Sequence, residues 1–344
     1  MYKNTARIWP KRRFIASCQH FAVTISGAAT SATATIDAVD QSKAFIVWGG
    51  VRSTATVINR LMATAVLTDA VTVTATRNSG TNTTVVRGTV VQATGYLVRS
   101  VQAGTITLSA ATSNTATINA VDTARSIVLF NGHSSASTAA VLTTSQPGLA
   151  LTNSTTVTAS LASAGSGTVA FTVVEFQPAA VISVQPGTVD VTNTNTSDTV
   201  ALAPDVQPEL AAFGYAGGVA GNSNPEVSRT RAALSGGSQV ADTRTTGTSA
   251  RHGVWGAVIH FAAGVIRGVQ RGTIALASAT SGTAAIAPVE PARTWLGFLG
   301  NDAAVGATID QSFATAALTD ATTVTAELST AGTATVSYEA VSFN

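Results

Sequence analysis

Hydrophobic and polar residues alternate one by one along much of the chain. Thr105-Ile106-Thr107-Leu108, Thr156-Val157-Thr158-Ala159 and Thr323-Val324-Thr325-Ala326 put every second side chain on an apolar face, which is the period of a half-buried strand. Ser126 to Phe130 and Val169 to Phe176 are denser in apolar residues and predict central strands. Turn formers separate these runs at Asn131-Gly132, at the Ala-Gly-Ser-Gly stretch 164–167 and at Gln177-Pro178. No window carries apolar residues at i, i+3, i+4 and i+7 long enough to predict a helix.

The alternating pattern is itself repeated. Val101-Gln102-Ala103-Gly104-Thr105-Ile106 recurs as Val184-Gln185-Pro186-Gly187-Thr188-Val189 and as Val269-Gln270-Arg271-Gly272-Thr273-Ile274, with a worn copy at Cys18-Gln19-His20-Phe21-Ala22-Val23. The four glutamines are 83, 83 and 85 residues apart, a period that calls for a repeat architecture. Other landmarks keep the phase: the acids Asp40, Asp122, Asp205 and Glu290, then Gly49, Gly132 and Gly300. Leu67-Thr68-Asp69, Leu151-Thr152-Asn153 and Leu318-Thr319-Asp320 follow, and the third copy offers only Leu234. Ala93, Phe176, Phe261 and Phe343 close the units.

The expectation is an all-β protein of four tandem small antiparallel β-sandwich domains behind a basic N-terminal arm, with about six or seven short strands in each unit. The arm covers residues 1–13, and the units cover 14–94, 95–178, 179–263 and 264–344, the third being divergent. Linkers of a few residues predict a semi-rigid row or a compact cluster. Small units gain from contact with neighbours.

Only 10% of residues are charged, and the net charge is +2. Its distribution is uneven. Lys3, Arg7, Lys11, Arg12 and Arg13 precede the first acid, Asp37, while the remaining 14 basic residues face 17 acidic ones. A nearly neutral body argues against a broad nucleic-acid face. The single cysteine, Cys18, allows no intrachain disulfide. The most apolar stretch, Val254 to Ile266, has thirteen residues and is too short to span a bilayer, so no membrane insertion is expected. Lys11-Arg12-Arg13 before Ile15-Ala16-Ser17-Cys18 imitates a lipoprotein signal, but the apolar stretch between is shorter than the ~7–15 residues of a secretory core. Cys18 takes the place of Val101, Val184 and Val269, which predicts a small buried hydrophobe.

Candidate chemistry is sparse. His20, His133, His252 and His260 neither recur nor stand at metal-ligand spacing, with His133 expected in a loop. The recurrent acid supplies one carboxylate per copy where a calcium site needs about six to eight oxygens, so a turn-capping task is expected of it. No nucleophile elbow, phosphate loop or dinucleotide fingerprint occurs, and no residue is nominated for catalysis, a cofactor or a metal. Three Asn-x-Ser/Thr matches, beginning at Asn82, Asn153 and Asn195, are expected by chance in so Thr-rich a chain. Trp48, Trp255 and Trp295 fall in apolar runs and predict core packing, whereas Trp9 stands in the arm. Lys3, Arg7, Trp9, Lys11, Arg12 and Arg13 form the candidate docking residues, an aromatic anchor among cations. The alternative for them is a disordered tail. The segments after the Gly landmark, Val51 to Thr64, His133 to Gly148, Gly218 to Thr230 and Asn301 to Thr315, differ most between copies and are candidate recognition loops.

The units with Ser-Val-Gln-x-Gly-Thr near the start, Leu-Thr-Asn/Asp and Thr-Val-Thr-Ala in the middle and Val-Val-Glu-Phe near the end resemble tandem β-sandwich repeats in accessory virion proteins of tailed bacteriophages. Residues 100–106, 151–159 and 173–176 carry the likeness, over an underlying repeat at 14–344. The resemblance implies a non-enzymatic virion structural protein, an exposed tail-associated fibre, spike or collar component. It implies other virion proteins as partners, a symmetric homo-oligomer, assembly in the host cytoplasm and sometimes a host surface glycan as ligand. A capsid decoration protein and a carbohydrate-binding or adhesion module are the alternatives, and an enzyme whose site forms between repeats or chains is a third.

Overall fold

The structure is a computed structural model that describes residues 12–192, 194–247 and 252–344. Residues 14–94 form β1 (Ile15–Ile25), β2 (Ser31–Thr35), β3 (Ala44–Ser53), β4 (Ala63–Leu67), β5 (Thr72–Arg77) and β6 (Thr84–Ala93). Residues 95–178 form β7 (Val98–Thr117), β8 (Ser126–Ser135), β9 (Gly148–Asn153) and β10 (Thr156–Phe176). Next come β11 (Val181–Pro186), β12 (Val189–Val191), β13 (Ser197–Ala201), β14 (Ala211–Ala220), β15 (Arg231–Ser235), β16 (Gln239–Thr243) and β17 (His252–Phe261). The last segment holds β18 (Ile266–Ala285), β19 (Thr294–Asn301), β20 (Thr315–Asp320) and β21 (Thr323–Phe343). Helix is confined to single turns such as Ile58–Leu61 and Pro225–Ser228.

The chain is all-β, with two antiparallel sheets packed together. One runs β1-β6-β3-β20-β21-β19-β15-β16-β13 and the other β11-β17-β14-β9-β10-β8-β4-β5-β2. In the second and fourth segments the expected short strands fuse into strands of 20 and 21 residues. The fused strands crease instead of stopping. Ala110 (φ 50) and Ser278 (φ 53) turn left-handed, and their N–H groups donate to Ser166 Oγ at 2.9 Å and Thr333 Oγ1 at 3.1 Å. The Ala-Gly-Ser-Gly stretch at 164–167 is likewise a bulge within β10, with Gly167 at φ 155. Asn131-Gly132, which reads as a turn, lies inside β8.

Most of the recurrent residues share a structural task between copies. The recurrent glutamine clamps the main chain at both ends of its amide. Gln19 Nε2 donates to Asp37 O while Asp37 N–H donates back to Oε1, at 3.0 and 2.6 Å. Gln102 does the same with Asn119, Gln270 with Ala287, and Gln185 with Pro204 O and Ala203 N–H. Leu67, Leu151, Leu234 and Leu318 sit opposite Val73, Val157, Val240 and Val324. Asp69, Asn153 and Asp320 then accept the N–H two residues on, at 2.7–2.8 Å. The third segment makes this turn with Gly236 and Gly237 at φ 58 and 79, which is why it needs no Leu-Thr-Asp phrase. Asp40 and Asp122 accept N–H from Ser42 and Ala124 at 3.0 Å and pair with Lys43 and Arg125. Glu290 pairs with Arg293. Asp205 does not join this set. Gln207 holds the corresponding place before the turn Pro208–Leu210, and its N–H donates to His260 Nε2 at 3.4 Å.

Beside sandwich cores in which the second and third segments each supply nearly all of one cluster, the four segments share a further one. Ile15, Cys18, Phe45, Ile127, Phe176, Ala212, Phe261, Trp295 and Phe343 belong to one buried cluster drawn from all four. Cys18 is buried there, with its thiol pushed up to about 12 by burial, and Val101, Val184 and Val269 pack against the same cluster. The four strands β3, β8, β14 and β19 touch in cyclic order, each contacting the next and β19 contacting β3. They are buried on both faces, one toward the sandwich and one toward the centre of this ring, which is why their first halves run apolar without strict alternation.

Candidate functional site

The ring is joined by four glycines. Gly50, Gly132, Gly217 and Gly300 have φ of 98, 96, 91 and 94°. Each pairs with one residue of a neighbouring segment: Gly132 with Thr64, Gly217 with Gly148, Gly300 with Arg231, and Gly50 with Thr315. The last pairing joins the first segment to the fourth and closes the circle. A Cβ at these glycines would lie 2.2–2.4 Å from the carbonyl oxygens of Ala63, Pro147, Thr230 and Ala314, so only glycine admits the approach. The first member is Gly50, not the Gly49 of the sequence alignment. Gly49 precedes it by one residue and lacks the positive φ. In the third segment the member is Gly217, which the alignment missed.

The ring has two unlike ends. At the base, around the shared cluster, the chain enters at Phe14 and Ile15, crosses between segments, and ends at Phe343 and Asn344. Here Thr94 Oγ1 donates to Arg13 O at 2.7 Å, and Asn344 Nδ2 donates to Gly264 O at 3.0 Å. The strands β3, β8, β14 and β19 run from this base to the glycines, and beyond them lie the four divergent segments that read as recognition loops. Arg12 and Arg13 and the loops therefore lie at opposite ends of the same strands, a distance of roughly 20–30 Å at ~3.3 Å per residue.

At the loop end lies a cavity of about 40 Å³ lined from all four segments. Its walls include Trp48, Phe130, Tyr215 and Phe298, each two residues before a ring glycine, which meet in sequence edge to face at 5.7, 6.1 and 6.3 Å. Above them stand Met62, Gln146, Arg229 and Phe313, each one residue before the carbonyl that a ring glycine approaches. The Arg229 guanidinium stacks 4.1 Å from the centre of the Phe313 ring, and its Nη2 donates to Asn301 Oδ1 at 2.6 Å. His133 borders the cavity, buried in β8 rather than in a loop. Its Nδ1 faces Ser145 O at 2.8 Å, and burial lowers its pKa to about 4. A neutral ring with Nδ1–H donating is the tautomer this contact selects. Divergence of the post-Gly segments was the one sequence signal for this cavity. Nothing in the sequence singled out Gln146, Arg229 or Phe313.

Of the docking residues, Lys3, Arg7, Trp9 and Lys11 lie outside the described residues. Arg12 stands 5.6 Å from the ring centre of Tyr96, which is 55% exposed. Arg13 folds back on β1, donating to Ile15 O at 2.9 Å and Ala16 O at 2.8 Å. Trp48 and Trp295 are buried, whereas Trp255 is half-buried and its indole N–H donates to Asp190 Oδ1 at 3.3 Å. His20 Nδ1 lies 2.9 Å from Thr89 Oγ1. Among the described residues no group of three His, Cys, Asp or Glu side chains is placed to hold a metal ion, and no helix is long and apolar enough to cross a membrane. Two wider clefts of about 340 and 310 Å³ lie between the second and third segments and between the first and fourth. In comparisons with known proteins, neither a family model nor a curated relative matches the chain.

Proposed function

We propose that this chain is a non-enzymatic structural protein of a bacteriophage virion, an exposed fibre, spike or collar component held to the particle by its N-terminal arm. The observation that carries the reading is the polarity of the ring. Arg12 and Arg13, the last residues of the basic arm, meet the turn bearing Tyr96 at one end, and the divergent loops crown the other. A particle component needs such a division between an attached end and a presented end. The closed ring with a shared core keeps the two ends in fixed relation, and the resemblance of residues 100–106, 151–159 and 173–176 to accessory virion proteins supplies the biological setting.

Deleting residues 1–13 tests the reading. The shortened chain is expected to fold and to be missing from assembled particles, and full occupancy without the arm sinks the docking role. A second reading, a carbohydrate-binding or adhesion module at the host surface, draws on the divergent segments gathered at the loop end. Binding on a glycan array that vanishes when the loop after Gly132 is replaced by alanines would favour it.

A further inference from the structure

We infer that the cavity at the loop end of the ring binds a small monovalent anion, of halide or carboxylate class, together with its water. The inference stands on Arg229 and does not rest on the virion reading.

Arg229 is the one charged residue lining the cavity, and it is only 6% exposed. Among the described residues no carboxylate pairs with it. Its polar contact is one hydrogen bond from Nη2 to the neutral amide of Asn301, and Nε is buried without a partner. The contrast with Arg77, equally buried, is instructive. Arg77 carries its charge into the interior by donating to the carbonyl oxygens of Gly27, Ala29 and Arg60 and to Thr84 Oγ1. Arg77 is saturated, and Arg229 is not. An isolated buried charge costs several kcal/mol unless a counter-charge or full hydrogen bonding offsets it. Burial lowers the Arg229 pKa only to about 10, so the guanidinium stays cationic at neutral pH and the unmet charge persists.

The other polar atoms fix what accompanies the anion. Gln146 and His133 border the same space, and Gln146 Oε1 and His133 Nε2 are buried without a partner, the latter beside Gly167. Both are acceptors in these roles, so each calls for a protic donor. Tyr215 also lines the cavity, and burial holds its phenol protonated, pushed up to about 12. A void of about 40 Å³ admits roughly three water-sized species at ~10–15 Å³ each. One anion beside the guanidinium and two waters donating to Gln146 and His133 fill that space and satisfy the orphaned groups. A larger tetrahedral dianion with its hydration exceeds it. The aromatic rings of Trp48, Phe130, Phe298 and Phe313 line the site, and their low polarity strengthens the charge–charge attraction relative to water.

The full chain, at constant ionic strength set with sodium gluconate, would be titrated with sodium bromide, and separately with sodium formate, while thermal unfolding is followed. A rise in Tm of about 2 °C at tenfold above Kd, growing with the logarithm of concentration beyond it, is expected from linkage. It should disappear in Arg229→Gln. Crystals grown in bromide should show an anomalous peak within hydrogen-bonding distance of Arg229 Nε, a measurement that does not depend on the variant folding. A cavity that holds only water in both bromide-grown and formate-grown crystals overturns the inference. So does a Tm response that Arg229→Gln leaves intact. A response to bromide but not formate assigns the site to halide, and the reverse to a carboxylate.

Discussion

Gln102 meets the main chain of Asn119 with both ends of its side-chain amide, Nε2 donating to the carbonyl at 3.0 Å and Oε1 accepting the N–H at 2.7 Å. The same two-bonded clamp occurs at Gln19, Gln185 and Gln270, so the most regular mark in the sequence pins a loop to the strand that starts each segment. Gln102→Ala should lower unfolding free energy by about 1–2 kcal/mol, the net worth of two intramolecular hydrogen bonds. Gln185 is only 7% exposed and its two bonds are part-buried where those of Gln102 are exposed, so Gln185→Ala also leaves a cavity. Its cost should be larger, about 2–4 kcal/mol. Urea unfolding of the two variants checks the order, and equal losses would contradict the role of burial.

The ring glycines make a sharper prediction. Gly132→Ala puts a Cβ 2.2 Å from Ala63 O at a φ of +96°, adding a backbone clash to the strain of the left-handed region. A loss of at least about 3 kcal/mol is expected. Gly264 is the control. It has φ +83° with nothing within 4 Å of an added Cβ, so Gly264→Ala should cost only about 1 kcal/mol. Similar losses at both positions would show that φ alone, and not the approach of neighbouring segments, demands glycine in the ring.

The local order was legible because alternation and turn chemistry are local. Leu67, Leu151, Leu234 and Leu318 keep one register against their valines, and Cys18 is buried beside the valines with which it aligns. The ring was not legible. Its closure depends on pairings such as Gly50 with Thr315, which leave no periodic trace along the chain. The merged strands were missed because Ala110 and Ser278 crease a strand with residues that carry no turn signature. Arg229 was missed because an arginine in a divergent loop reads as solvated; only the convergence of four loops buries it.

Stability should carry two opposed pH terms. His133 is buried neutral, with its pKa lowered to about 4 against an unfolded value near 6.5. Between those values the unfolded chain binds the extra proton, so this term is present above about pH 6.5 and is lost as pH falls toward 4. Glu339 is the reverse. Burial pushes its pKa up to about 7, against the pull of Arg271 and the Phe213 N–H. The folded chain therefore holds the extra proton, and stability falls as pH rises from about 4.3 to 7. Each term is of order 3 kcal/mol, and they mask one another in the wild-type curve. Differences between wild type and His133→Asn, and between wild type and Glu339→Gln, should slope in opposite directions across this window. Denaturant titrations at a series of pH values read both, and two flat differences would remove the titrating roles.

Closure of the ring predicts how the chain tolerates being cut. The shared cluster needs Trp295, Val341 and Phe343 from the last segment. Glu327 of that segment also pairs with Arg87 at 2.6 Å and Arg52 at 3.5 Å in the first. A chain ending at residue 263 would expose one flank of β3 and remove two of the three aromatic contacts of Phe261, those with Trp295 and Phe343, leaving Phe176. Four independent sandwiches would survive that truncation with three units folded. A closed ring should not, and the shortened chain is expected to aggregate or to lose its cooperative unfolding transition. Circular permutation is the complementary case. Ile15 and Phe343 lie in the same cluster at the base, so a short Gly-Ser linker can join the ends. New termini opened at the exposed turn Pro178–Ala179, which joins segments at that same base, leave every ring pairing intact. The permutant should unfold within a few degrees of the parent, as measured by calorimetry, while truncation at 263 removes the transition. A stable, cooperative 1–263 fragment would show that the segments fold independently and meet only after folding.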